Sequence, residues 1–273
     1  MKGVRKNMEE QDTIMLRELG IEDISDLFGY EPHESEYARY AADKPYLIAT
    51  AHKLQDVYET LSRARAFLWY LSNEEWGDFA NKSDAVSLLF LKSQLLQSAL
   101  YLYGSTLDMI WQMVWAHIQP ASLDYILDLK YMEQYKNCDR DNILAQLKCD
   151  IARGGSGAQT AERIKDIFEA FDQLPITIEM RSIYNYVKHH GTLRFEGLGS
   201  NPQTLNVTVN SQSVNVLHRK ITSIESLKAT LLDYDRAYVQ YIRQLVSLFI
   251  PEDYKQASMP ATEFIAGILK CMR

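Results

Sequence analysis

The chain has 273 residues, and 47% of them are hydrophobic, which is enough for a large core in one elongated helical domain or two small ones. Only 12 glycines and 7 prolines leave little material for the turns of an all-β fold. The net charge of −7 argues against a protein that coats nucleic acid nonspecifically, because such binding needs a broad cationic surface. A local basic patch remains compatible with this charge.

The first 45 residues are predicted to form an N-terminal helical extension, with short helices at 10–19 and 21–28 and then a polar stretch. Asp43 is a candidate cap for the next helix, with Pro45 in its first turn. That helix is predicted over 46–72, because leucine recurs every seven residues and a second apolar seam runs beside it. The two seams are Leu47, Leu54, Leu61 and Leu68, and Val57, Ala64 and Leu71.

A long apolar helix is predicted over residues 85–118, after capping residues at 81–84. It is long enough to cross a bilayer, but Lys92 and Asp108 lie along it, and charges near a bilayer centre are costly. We therefore expect a central helix enclosed by protein on most sides, and no membrane association. The basic N-terminus is not followed by an apolar run, so no signal peptide is expected and a cytoplasmic location is predicted.

Three shorter helices are predicted next, at residues 122–135, 141–152 and 159–173. The glycine-rich segment 153–157 joins the second of these helices to the third. We interpret this segment as a plain loop, because the Gly-Lys-Ser/Thr ending of a phosphate-binding loop is missing and no strand precedes it.

The chain changes character after a helix predicted at 176–190. Apolar and polar residues then alternate in three short runs, and residues 210–213 between the last two runs are typical of a turn. We therefore predict a small β-hairpin at about 192–221, with two or three strands. The three runs are residues 192–196, 204–209 and 214–220.

The last long helix is predicted over 223–249, after a capping sequence at 222–225, and a short helix is expected at 262–271. Together these elements predict a mainly α fold. It consists of an elongated helical bundle over 46–250, with the β-hairpin inserted before the last long helix, and a tail helix within 251–273.

Polar side chains collect at the end of the helix that precedes the hairpin. Asn185 and His189 lie one helical turn apart, and with Arg181 they form one slowly winding stripe. Tyr184 and Lys188 form a second stripe next to it. This is the one place in the sequence where titratable and hydrogen-bonding groups gather at a spacing that chemistry can use.

Two interpretations of this segment remain open. In the chemical one, His189 acts as a general acid or base, since histidine titrates at about 6.5, and Asn185 orients it or holds a hydroxyl. The cations that could neutralise a phosphate are Lys188, Arg181 and Arg194. In the structural one, these residues cap the helix, because cations in a last turn favour the macrodipole and Gly191 supplies a left-handed cap.

A metal site is not predicted, and no cofactor is expected. His190 points about 100° away from His189 on a helix, so the two cannot easily share one ion. The remaining histidines show no ligand spacing with each other or with the cysteines. Cys138, Cys149 and Cys271 are odd in number and lack CxxC spacing, which suits free thiols in a reducing cytosol.

A late helix of a bundle that ends in Asn-x-x-Lys-His-x-Gly resembles the HEPN superfamily, and in particular its larger bacterial members with a hairpin after the motif. The resemblance covers residues 45–250 in general layout, and its specific part is residues 184–191. HEPN ribonucleases carry an arginine, a polar residue, three further residues and a histidine. Asn185 and His189 match the last two of these positions, whereas Tyr184 stands where the family has the arginine.

The resemblance implies a metal-independent endoribonuclease or RNA-binding protein of a toxin or phage-defence type. It also implies a homodimer whose motif helices face one cleft, and an antitoxin or other protein partner. A ribose 2′-hydroxyl would attack the adjacent phosphate, which confines the activity to RNA. The implied catalytic residues are His189 for proton transfer, Asn185 for orientation and Arg181 for charge. The implied RNA contacts are Lys188, Tyr184, His190 and Arg194.

Two other classes of function compete with this expectation. A catalytically inactive module for protein–protein interaction is favoured by 17 tyrosines, by the acidic net charge and by Tyr184 in the arginine position. A helical bundle that binds a small molecule around Trp111 and Trp115 is the third class, although core packing explains these two aromatic residues better.

Overall fold

The computed structural model describes residues 14–40, 43–119, 128–155, 157–199, 205–209, 212–216 and 219–256. Within these ranges the chain is a mainly α helical bundle, as predicted. Residues 14–19, the described part of the helix predicted at 10–19, are helical. The other helices, labelled in chain order, are α1 (Glu34–Tyr40), α2 (Pro45–Tyr70), α3 (Ala85–Ile118), α4 (Asp128–Glu133), α5 (Arg140–Arg153), α6 (Ala158–Asp172), α7 (Pro175–His190) and α8 (Ile224–Phe249). The strands are β1 (Arg194–Phe195), β2 (Leu205–Val209), β3 (Gln212–Val216) and β4 (Ile221–Thr222).

The seven-residue repeat of α2 lies at the centre of the core. Leu54, Leu61 and Leu68 have no solvent exposure where α2 packs along α3, and this is the most extensive helix pair in the described bundle. Helix α3 also packs against α7 and α8. The bundle packing predicted from the leucine spacing is therefore confirmed.

Two of the three predicted caps at helix N-termini are present. The side chain of Asp84 accepts a hydrogen bond from the backbone N–H of Ser87 at 3.0 Å, and the Ser223 hydroxyl accepts one from the N–H of Ser226 at 3.1 Å. The cap predicted at Asp43 is wrong. The residue at the cap position of α2 is Lys44, which makes no side-chain cap bond, and Pro45 needs none because it has no N–H.

The helix predicted at 21–28 is also wrong. The segment has no regular secondary structure except for a single 3-10 turn at Ser25–Leu27. The Asp23 carboxylate accepts bonds from both the N–H and the hydroxyl of Ser25, and such local bonds compete with the helical ladder. Leu27 is nevertheless buried, and Arg243 of α8 pairs with Glu22, so this segment packs against the bundle.

A buried ion pair joins α2 to α8. The Nε and Nη2 atoms of Arg65 donate hydrogen bonds to the two carboxylate oxygens of Asp235, at 2.8 and 2.7 Å. The side chains of Arg65 and Asp235 are 1% and 0% exposed. The hydroxyl of Tyr103 on α3 donates to Asp235 at 2.7 Å, and the carbonyl of Glu22 accepts from Arg65 at 2.8 Å. Three long helices and the N-terminal segment therefore meet at one buried charge pair.

The predicted β-hairpin is present as β2 and β3, which pair antiparallel with Val209 opposite Gln212. The second strand begins two residues earlier than predicted. The strand predicted at 192–196 is wrong as a member of this hairpin, because the strand found there, β1, pairs in parallel with β4, with Arg194 opposite Ile221. We call the start of β4, where the chain comes back to lie beside β1, the β4 return point. A hydrogen bond from the backbone N–H of Lys220 to the Tyr186 hydroxyl, at 3.0 Å, holds it against α7.

Helix α3 is the one helix of the described ranges with the length and apolar composition to cross a membrane, and 28% of its most apolar window is buried. Its middle and last turns are enclosed on the face that is buried in the core, whereas Tyr101 on another face is 42% exposed. Its first turns are not, because Val86 and Phe90 are exposed. The predicted helix at 262–271 and Cys271 lie outside the described residues, while Cys138 and Cys149 are free thiols, as expected.

Candidate functional site

Helix α7 carries the motif and presents two different faces. Pro175 occupies its first turn, and Gly191 ends it with a φ of +117°, a conformation that favours glycine. This is not the left-handed helical cap that the sequence predicted, although the need for glycine is the same. The inner face packs into the core through Thr177, Met180, Ile183 and Val187.

The outward face of α7 forms a stripe that brings His189 and Asn185 together, as predicted. We call it the outer stripe, and every member of it is exposed. Its first half is apolar, with Ile178 58% exposed and Leu174 38% exposed. No hydrogen bond joins Asn185 to His189 in the described part of the chain, so both side chains are free to bind a ligand. The outer stripe consists of Leu174, Ile178, Ser182, Asn185 and His189.

Arg181 is not brought to His189. Its guanidinium pairs with Asp172 at the end of α6 and lies 5.8 Å from the centre of the Trp111 ring on α3. Asp172 is 9% exposed and also pairs with Arg140 of α5, so it is held between two arginines. Along the helix axis, Arg181 and His189 are separated by about 12 Å. The arginine that the sequence assigned to catalysis therefore anchors α7 to its neighbours.

Tyr184 lies against the backbone of α3, where Gly104 makes room for its ring. A Cβ atom at position 104 would lie 2.2 Å from the Cε2 atom of Tyr184. Burial, and secondly the charge of Asp108, raises the pKa of the Tyr184 hydroxyl, so it stays protonated at neutral pH. The side chain in the family's arginine position thus serves helix packing.

This contact makes Gly104→Ala an informative variant. Alanine inside a helix usually stabilises by about 0.5–1 kcal/mol relative to glycine. Here the added methyl group overlaps the Tyr184 ring, so we expect a loss of about 1–3 kcal/mol in the free energy of unfolding, measured with urea. In a Tyr184→Ala background the same change should be neutral or stabilising. Equal stability of wild type and the single variant would contradict the tight contact.

Lys188 and Tyr184 face α3 across what we call the α3–α7 seam. The ammonium of Lys188 lies 5.6 Å from the centre of the Tyr184 ring. Burial raises the pKa of Asp108, and the nearby charge of Lys188 opposes that shift. Lys188 itself is exposed, so its charge is available at the surface. The seam consists of Tyr101, Gly104 and Asp108 on α3, and of Tyr184 and Lys188 on α7.

The other predicted RNA contacts lie away from the outer stripe. His190 packs on the ring of Tyr186, with centroids 5.7 Å apart, on the side where α7 meets the β4 return point. Arg194 is part of β1, and its backbone N–H donates to the carbonyl of Lys220 at 3.0 Å. Among the described residues no group of three potential ligands could hold a metal ion.

One further side chain of this region was not among the residues predicted from the sequence. Tyr101 of α3 is 42% exposed, its hydroxyl donates to the carbonyl oxygen of Val187 at 3.4 Å, and its ring meets that of Tyr184 edge-on at 6.4 Å. It is therefore a surface aromatic residue fixed against the last turns of the motif helix. In the sequence it is one of several apolar residues on a long helix. A signal for it comes only from the antiparallel packing of α3 against α7.

The two tryptophans considered for a small-molecule site already have partners on the protein. The Arg181 guanidinium lies over the Trp111 ring in a cation–π contact, and the indole N–H of Trp115 donates a hydrogen bond to the carbonyl of Gln134 at 2.7 Å. Both are partly buried against the core, as the core interpretation predicted.

Comparison with known proteins adds no assignment to this geometry. No protein-family model, no curated protein and no solved structure matches the chain.

Proposed function

We propose that the chain is an HEPN-like protein that binds RNA and cleaves it without a metal ion. The observation that carries this proposal is the exposed pair of Asn185 and His189, one turn apart at the end of a helix that is otherwise held firmly by the bundle. A histidine on a rigid element, open to a ligand and beside an amide, suits proton transfer.

The proposed reaction is an attack of a ribose 2′-hydroxyl on the adjacent phosphorus. His189 takes the proton from that hydroxyl as the new O–P bond forms, and Asn185 orients the hydroxyl. The bond from phosphorus to the 5′-oxygen breaks, and that oxygen receives a proton from the partner's His189. The products are a 2′,3′-cyclic phosphate and a 5′-hydroxyl end, and no redox step or cofactor is involved.

Lys188 is the proposed phosphate cation, in place of Arg181. Arg181 is already neutralised by Asp172, and its removal from that pair would leave a carboxylate that is 9% exposed with one partner fewer. Lys188 is exposed and lies on the same turn as His189. A cation at this position offsets the charge that develops on the phosphate oxygens.

The proposed active form is a homodimer in which the outer stripes of two copies face each other. The support for this is the apolar half of the stripe, where Ile178 and Leu174 are large and exposed on a helix surface. Burying such side chains against a second copy removes apolar area from water, at about 25 cal/mol per Å². It also brings two motif helices to one cleft, which supplies both the proton acceptor and the proton donor.

Incubation with a panel of single-stranded RNAs in EDTA tests the proposal. We expect cleavage that leaves cyclic phosphate ends, together with a dimeric mass by light scattering at micromolar concentration. A monomeric mass would contradict the composite cleft, and dependence on added metal would contradict the mechanism.

The second candidate function is a catalytically inactive interaction module. It is favoured by the contact of Tyr184 with Gly104 and by the pairing of Arg181 with Asp172, which leave the motif helix without an arginine near His189. Under this alternative the wild type is inert on every RNA of the panel, and the outer stripe serves only as a protein contact.

A further inference from the structure

Tyr101 combines three properties on the surface of α3. Its ring is 42% exposed, its orientation is held by the bond to the Val187 carbonyl and by a T-shaped contact with Tyr184, and the same Tyr184 ring has the exposed Lys188 over it. A tyrosine that served only the core would be buried. A tyrosine that served only solubility would need neither of these contacts with α7.

The position of this ring relative to the motif is also defined. The carbonyl that Tyr101 contacts belongs to Val187, which lies two residues before His189. Tyr184, in the preceding turn, carries the Lys188 ammonium over its ring. An aromatic face and a cation therefore flank the last turn of the motif helix from the side of α3, within the α3–α7 seam.

We propose that Tyr101 is a stacking platform for an unpaired base of the RNA whose phosphate is held at Lys188. This inference rests on the proposed function and adds a binding subsite to it. Aromatic rings beside cations are the usual means of holding single-stranded nucleic acid, because every base has a face that can stack and every nucleotide carries a phosphate. Since the ring is already held in place, little side-chain entropy is lost when a base stacks on it.

The charges around the ring agree with this ligand. Lys188, over the Tyr184 ring, is the cation on the α7 side, and Asp108 is the anion on the α3 side, already faced by Lys188. A duplex cannot use such a platform, since its bases are stacked on one another and their faces are not available. The subsite therefore selects unpaired RNA, and it tolerates any base.

Fluorescence anisotropy with a short labelled 2′-O-methyl RNA of mixed sequence tests the subsite. This probe lacks the attacking hydroxyl, so binding is measured without cleavage. We expect Tyr101→Ala to weaken binding of the single strand by between about 5-fold and 100-fold, and binding of the same strand in a duplex to stay unchanged. Tyr101→Phe keeps the ring and should bind within about 2-fold of wild type. Tyr70→Ala is the matched control, because Tyr70 is also 42% exposed but lies at the end of α2.

The dependence of binding on salt separates stacking from charge. Tyr101→Ala should leave the slope of log K against log salt unchanged, whereas Lys188→Ala should make it shallower by about 0.7, the value for one phosphate of a single strand. If wild type binds the probe and Tyr101→Ala binds equally well, the subsite is disproved and the proposed function stands. If wild type neither binds nor cleaves RNA, both fall. If Tyr101→Ala changes the mass of the protein in light scattering, the ring belongs to a protein interface and the subsite is wrong.

Discussion

Asp235→Ala is expected to lower the free energy of unfolding by about 3–5 kcal/mol, the range measured when one partner of a buried ion pair is removed. The substitution leaves the guanidinium of Arg65, which is 1% exposed, without its carboxylate. It also removes the acceptor of the Tyr103 hydroxyl, which is buried on α3. Urea unfolding followed by circular dichroism measures the loss, and the transition should move to much lower urea without a change in slope.

Asp233→Ala is the matched control for this experiment. Asp233 lies two residues earlier on α8, and its ion pair with Arg236 is at the surface, where such pairs contribute little. Replacing both partners of the buried pair, with Arg65→Met and Asp235→Leu, should recover most of the lost stability, because apolar side chains of similar size can replace a buried ion pair. Equal effects of Asp235→Ala and Asp233→Ala would show that the pair is not buried in solution.

His189→Ala is expected to abolish RNA cleavage while the protein stays folded. Proton transfer by a positioned side chain contributes about 10²- to 10⁴-fold to a rate, and in the proposed dimer one substitution removes both the acceptor and the donor. The cost in stability should be small, about 0.3–1 kcal/mol, because an exposed histidine at a helix C-terminus contributes no more than that. Cleavage is measured on a panel of RNAs in EDTA, and stability by urea unfolding.

His190→Ala is the control, since this histidine is also exposed in the last turn but packs on Tyr186. It should cleave RNA at a rate close to wild type. If wild type and His189→Ala are equally inert across the panel, the ribonuclease is disproved and the interaction module becomes the better explanation. If His189→Ala cleaves as well as wild type, the activity lies at another site.

The long elements of this fold are visible in the sequence because their signals are local and repeated. The leucines of α2 recur every seven residues, and Asp84 and Ser223 stand directly before the helices that they cap. The parallel pair of β1 with β4 has no such signal. Each strand is two residues long, which is too short for an alternating pattern, and the partner of Arg194 is Ile221, far along the chain.

The candidate site divides in the same way. Helical spacing alone places His189 and Asn185 on one face, and the structure agrees. The role of Arg181 depends on Asp172, which belongs to a different helix, and on the angle at which that helix packs. The exposed ring of Tyr101 depends on how α3 and α7 lie against each other. A seven-residue repeat shows that a helix packs against another, but it does not show which side chains of the two helices meet.

The parallel pairing of β1 with β4 has a practical consequence. Segment 196–220 begins after β1 and ends at β4, and these two strands lie side by side. The two ends of the segment are therefore held by the bundle and not by the hairpin. The entropic cost of closing a loop rises only slowly with the length of the loop. An insertion between β2 and β3, which end and begin at Val209 and Gln212, is therefore a suitable way to add a fluorescent reporter or an affinity tag. A protein carrying such an insertion should keep the packing of its core.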